Sequence, residues 1–204
     1  MTQVKKSIIT SVCLAFCVVL PMMFHSIPGA GPTLLPMHIP VLLCGLICGW
    51  PFGLLCGLAG PLLSSLLTGM PPAATLPVGV LELAAYGLVT GLMMKLVYTK
   101  RLYADLYLSL IAAMLAGRVV GGLARALIFA PGSYSLALWA ASFFVASLPG
   151  MIIQIALLPG IVAALESARL IPKRYPGLGP GFKSADEASG PADQPGGPPG
   201  RPAE

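Results

Sequence analysis

The sequence predicts an all-α, polytopic membrane protein: a bundle of six transmembrane helices. Three observations carry this. Of 204 residues, 56% are hydrophobic and only 9% charged, with a mean hydropathy of +0.87, whereas a water-soluble domain carries about a quarter charged residues. Apolar runs recur over the first 170 positions, each near the roughly 20 helical residues that cross about 30 Å of hydrocarbon. Apart from Arg118 and Arg125 inside the fifth run, Lys and Arg, finally, cluster at alternate ends of those runs.

The first span is predicted over about 7–25, ending near Pro21 and the stretch His25 to Pro32, whose Pro and Gly density stops a helix. Its opening Lys5-Lys6 and apolar run also fit a signal peptide, but Ile8 to Phe24 exceeds an ordinary h-region and further spans follow. The second (35–50) and third (52–69) are separated only by Trp50-Pro51, a tight helical hairpin that Met70-Pro71-Pro72 ends. The fourth (77–98) and fifth (106–129) are joined through Lys100-Arg101. The sixth covers about 137–165, with Pro149-Gly150 and Pro159-Gly160 expected to bend or split it. The division is thus 1–172, a six-helix transmembrane substrate-binding domain, and 173–204, a cytoplasmic tail. Beyond Tyr175 the tail is too rich in Gly, Pro and polar residues to bury a core and reads as disordered.

Loop charges set the direction. With the N-terminus inside, the cytoplasmic side holds Lys5, Lys6, Lys95, Lys100, Arg101, Arg169, Lys173 and Arg174, and the outer loops 26–34, 70–76 and 130–136 hold neither Lys nor Arg. Both termini are then cytoplasmic. The basic balance of +5 therefore reflects topology, and no nucleic-acid partner is expected. Gly45, Gly49, Gly53 and Gly57 recur every fourth residue, as do Gly87-Gly91 and Ala113-Gly117-Gly121, small-residue stripes that let helix backbones approach in lipid. The five cysteines, Cys13, Cys17, Cys44, Cys48 and Cys56, all sit in apolar runs and read as small packing residues; no metal or cofactor is expected.

Ionisable groups at membrane depth cost about 2.5–3.5 kcal/mol each on insertion scales, so they pair or line a polar cavity. Glu82 lies about 8 Å below the outer end of the fourth span, and Arg118 about 18 Å up the fifth, with Arg125 two turns beyond on the same face. All three fall in the outer half. Tyr86 stands one turn from Glu82, His38 opens the second span, and Gln154 follows the Pro149-Gly150 break. His38, Glu82, Tyr86, Arg118, Arg125 and Gln154 together make a mostly apolar pocket with a few convergent polar groups, the form of a small-molecule site. The structural alternative is an internal Glu82–Arg118 pair, with Arg125 reaching the headgroups, Tyr86 packing, His38 solvated and Gln154 bonded to a neighbouring helix. Catalytic signatures such as HExxH, GxSxG or a P-loop are missing from the sequence. An enzyme is therefore not predicted, and any ATP hydrolysis belongs to another chain.

The stretch Leu35-Pro36-Met37-His38-Ile39-Pro40-Val41-Leu42-Leu43, the run from Gly60 to Pro72, Leu81-Glu82-Leu83-Ala84-Ala85-Tyr86-Gly87, Ala116-Gly117-Arg118 and Leu148-Pro149-Gly150 together resemble the S components of energy-coupling factor (ECF) transporters. The resemblance covers roughly 7–170. It implies capture of a vitamin or related micronutrient at the outer face, then delivery through a shared transmembrane coupling subunit driven by two cytoplasmic ATPases. It also implies a small-residue face on the first helix against the coupling subunit, here Ser7, Ser11 and Ala15 in place of the family's Ala-xxx-Ala pattern. The two arginines favour an anionic substrate such as pantothenate, while Glu82 favours an amine or hydroxyl unless it only neutralises Arg118. A proton-coupled secondary transporter and a ligand-free membrane scaffold subunit are the competing readings.

Overall fold

The computed structural model describes residues 1–24, 30–129, 137, 139, 141 and 145–175. The predicted loop 130–136, much of the predicted loop 26–34, and the tail from 176 onward lie outside the described residues. Helix α1 spans Gln3–Phe24, α2 Ala30–Leu34, α3 His38–Cys48, α4 Trp50–Thr68, α5 Leu76–Leu96, α6 Leu102–Phe129 and α7 Leu148–Ser167. No strand occurs among the described residues, and Met1–Arg174 form one compact unit.

Among the described residues five helices, α1, α4, α5, α6 and α7, are long and apolar enough to cross a membrane. Their outward surfaces are hydrophobic: along α1, Val4, Ile8, Val12 and Phe16 are exposed, while Thr10, Cys13 and Cys17 form the buried stripe. Only lipid makes such an exterior favourable, since water would penalise every exposed apolar side chain. Pro21, Pro61 and Pro159 sit inside helices, as neighbouring helices in a bilayer permit.

Two expected spans take a different form. The second is the 11-residue α3, about 16 Å long at 1.5 Å per residue and so about half a bilayer. Leu35, in the left-handed region at φ 52°, delays its start, and Gly49, at φ 90°, ends it. Gly49 alone separates α3 from α4, and Trp50-Pro51 form the first turn of α4, where proline needs no amide donor. The sixth is split, one of the two outcomes expected of its Pro-Gly pairs: a turn at 146–147 precedes Pro149-Gly150, which open α7, while Pro159 lies inside the helix. Gly150 is required there, because a Cβ would collide with the carbonyls of Thr33 and Leu34.

The glycine stripes of α3, α4 and α5 are where the helices meet. A side chain on Gly53 would overlap the Gly87 carbonyl, one on Gly57 the Leu83 carbonyl, and one on Gly91 the backbone of Trp50. Contact at this range maximises dispersion between backbones when no hydrophobic force drives helices together. The five cysteines are reduced and buried, with Cys44 Sγ donating to the Phe52 carbonyl and Cys48 Sγ to the Lys6 carbonyl. Among the described residues no group of His, Cys, Asp and Glu is arranged to hold a metal.

A buried polar clasp closes one end of the bundle. Asp105, in the first turn of α6, accepts from the Thr99 amide (2.9 Å), the Thr99 hydroxyl (2.6 Å) and Arg174 Nε (2.6 Å). Arg174 Nη2 also donates to the Val97 carbonyl at 2.5 Å, and its amide to Glu166 at 3.1 Å. The carboxylate favours the positive helix terminus, and the network ties the segment after α7 to the α5–α6 connection. From the sequence, Arg174 counts only as a loop charge.

Candidate ligand site

The polar side chains converge where α3, α5 and α6 meet. Glu82 and Tyr86 lie one turn apart on the buried face of α5, which the Gly53–Gly87 and Gly57–Leu83 contacts press against α4. Arg118 projects from α6 and donates from Nη1 to Glu82 Oε1 at 2.9 Å; the two residues are 3% and 8% exposed. At that separation, away from water, the attraction is far stronger than on a soluble surface, though it is offset by the cost of desolvating both ions.

His38, the first residue of α3, brings Nε2 to 3.5 Å from the same carboxylate oxygen. Its ring meets the edge of Tyr86 at 84°, with centroids 4.8 Å apart, a favourable T-shaped geometry. The Arg118 guanidinium lies 6.0 Å from the Tyr86 centroid, at the limit of cation–π contact. Gly117 leaves the room for this, because a Cβ there would strike the Tyr86 ring. That glycine, expected to serve helix–helix approach, instead accommodates a side chain.

His38 Nδ1 and the Tyr86 hydroxyl have no hydrogen-bond partner, and His38 Nε2 meets only the Glu82 carboxylate at 3.5 Å; all three atoms are buried. An unsatisfied buried polar group costs about 1–3 kcal/mol, so two in one place form an energetic anomaly beside a buried ion pair.

Gln154 of α7 is 1% exposed and donates from Nε2 to the Leu35 carbonyl at 3.4 Å. The same carbonyl accepts the His38 amide at 3.0 Å. Gln154 therefore braces the left-handed turn that delivers His38, at one remove from the charged pair. Arg125 does not join the cluster: it is exposed on α6 and makes no contact with these side chains among the described residues. Ser7, Ser11 and Ala15 form an exposed line on α1, one residue per turn.

Trp139 was not among the expected residues. Its indole Nε1 donates to the Arg118 carbonyl at 3.1 Å, and its ring occupies the space a Cβ on Gly122 would fill. An aromatic residue in an apolar run gives no signal of such a role; only the tertiary pairing with Gly122 does. The tryptophan thus lies over the helix turn that carries Arg118 and packs with Val78 and Ala124 in a small apolar cluster.

No curated protein and no solved structure gives a significant match to the chain. Residues 5–165 match the family model described as ECF transporter, substrate-specific component. That span includes the seven helices named above apart from the first two residues of α1 and the last two of α7, as well as every residue of the cluster. The protein is accordingly a multi-pass membrane protein belonging to the family of ECF transporter substrate-specific components.

Proposed function

We propose that the chain captures a vitamin-like small molecule at the outer face of the cell membrane, with His38, Glu82, Tyr86 and Arg118 as its polar anchor. One observation carries this reading: the buried His38 Nδ1 and Tyr86 hydroxyl lack hydrogen-bond partners beside a buried ion pair. A ligand that hydrogen-bonds to them offsets the desolvation cost of these buried groups, a direct source of affinity. Gln154 acts as a positioning residue through the Leu35 turn, and Trp139 supplies an apolar wall.

The geometry shifts the expected substrate chemistry. Anion preference rested on two arginines, of which Arg118 is engaged by Glu82 and Arg125 is exposed outside the cluster. The remaining recognition groups are an imidazole, a phenol and a charge-balanced pair. They suit a ligand with a neutral or zwitterionic hydrogen-bonding head and an apolar or aromatic body better than a simple carboxylate such as pantothenate.

In this reading both termini are cytoplasmic, on the strength of the loop charges. The line Ser7, Ser11 and Ala15 docks the coupling subunit, and two partner ATPases supply the energy. The test is mass spectrometry of the small molecule that co-purifies with detergent-solubilised protein, followed by a thermal-shift panel. A vitamin-sized compound that stabilises the wild type, and stabilises Tyr86→Phe at least tenfold less effectively, is expected. No bound compound and no stabilisation by any of a broad vitamin panel would remove the proposal.

A further inference from the structure

A second polar feature lies far from the cluster, at the end of the bundle where α1 begins and α7 ends. A cleft of about 730 Å³ is lined there by Lys5 on one side and by Glu166, Arg169, Leu170 and Lys173 on the other. The chain is shaped to make it. Arg169 adopts the left-handed conformation at φ 58°, and the Arg169 and Leu170 amides donate back to Glu166 and Leu165 carbonyls, ending α7 in a tight reverse turn. Ile171, 7% exposed, pins the turned segment into the apolar core. Arg169 and Lys173 are thereby held opposite Lys5.

The charge balance of the cleft is positive. Lys5, Arg169 and Lys173 are exposed, make no ion pair among the described residues and outnumber the one carboxylate of the lining, Glu166, whose Oε1 accepts the Arg174 amide. An apolar lane adjoins these cations: Leu170 is 62% exposed in the cleft lining, and exposed Ile8 stands one turn along α1 from Lys5. Three cations at the ends of two apolar membrane-length helices, with apolar side chains leading away along the bundle, match a phosphodiester headgroup continuous with acyl chains.

We infer that this cleft binds the headgroup of an anionic phospholipid, with Lys5, Arg169 and Lys173 as its phosphate-binding groups. The site does not depend on the capture reading, since it shares no residue with the His38–Arg118 cluster. It ties the ends of α1 and α7 to the bilayer surface and so restrains how the bundle tilts.

Native mass spectrometry of the full chain in detergent, titrated with phosphatidylglycerol or phosphatidylcholine, tests it. Phosphatidylglycerol is expected to be retained several-fold more than phosphatidylcholine, and the triple variant K5Q/R169Q/K173Q to reduce it to the phosphatidylcholine level. The control K100Q/R101Q, which removes charge from the α5–α6 connection, should retain wild-type selectivity. If the triple variant does not fold, K173Q alone at its exposed position is expected to lower retention, and unchanged retention overturns the site. Equal retention of both lipids, or an equal loss in the control, also overturns it. Displacement of phosphatidylglycerol by an equal concentration of inorganic phosphate would reassign the cleft to a free anion.

Discussion

Glu82 and Arg118 are individually costly in a bilayer and mutually dependent. Removing one leaves the other as an uncompensated buried charge, which costs about 3–5 kcal/mol, whereas replacing both with neutral residues often costs little. Arg118→Gln alone is therefore expected to lower the unfolding temperature in detergent sharply, and E82Q/R118Q to recover most of the loss. The ligand response separates anchor from brace: if the pair touches ligand, the double variant is stable yet no longer stabilised by it. A double variant with full ligand response would mean that the pair only joins α5 to α6. Tyr86 behaves oppositely. Its hydroxyl has no partner to lose, so Tyr86→Phe should leave the ligand-free unfolding temperature unchanged or slightly raised while weakening ligand binding about tenfold, near 1.4 kcal/mol.

At the scale of elements, the glycine contacts between α4 and α5 decide where the site residues stand. The Gly87 position admits no Cβ, since Gly53 backbone occupies that space, and Gly87 lies one residue from Tyr86. Gly87→Val should force α4 and α5 apart, costing about 1–3 kcal/mol or more from overpacking and abolishing ligand stabilisation. Gly79 is a matched control on the same helix, with open space around it and no left-handed φ. Gly79→Ala should leave both unfolding temperature and binding intact, and equal damage from the two would refute a specific role for the close contact. The Asp105–Arg174 clasp acts at the same level, because loss of either partner frees the segment carrying Arg169 and Lys173.

For the whole molecule, the start of α1 and the segment after α7 line one cleft and so lie at the same end of the bundle. Coupling is expected to depend on the exposed line of α1. The variant S7L/S11L/A15L should fold and respond to ligand as the wild type does, yet lose uptake in cells supplying the coupling subunit and ATPases. Uptake that persists without those ATPases and collapses with an uncoupler would instead favour a secondary transporter using Glu82. Sequence alone determined the helical membrane class, most helix limits to within a few residues, the alternation of loop charge and the identity of the polar residues. Each of these follows from local composition: apolar runs, breakers, and charges too costly to leave in lipid without purpose. Tertiary structure decided the rest. It paired Glu82 with Arg118, set Arg125 outside the cluster, shortened α3, opened α7 at Pro149-Gly150 and brought Trp139 over Gly122. Helical periodicity specifies which face a residue occupies but not the rotation of one helix against another. That rotation is set by which backbones approach closely enough to touch, through glycines whose partners lie tens of residues away.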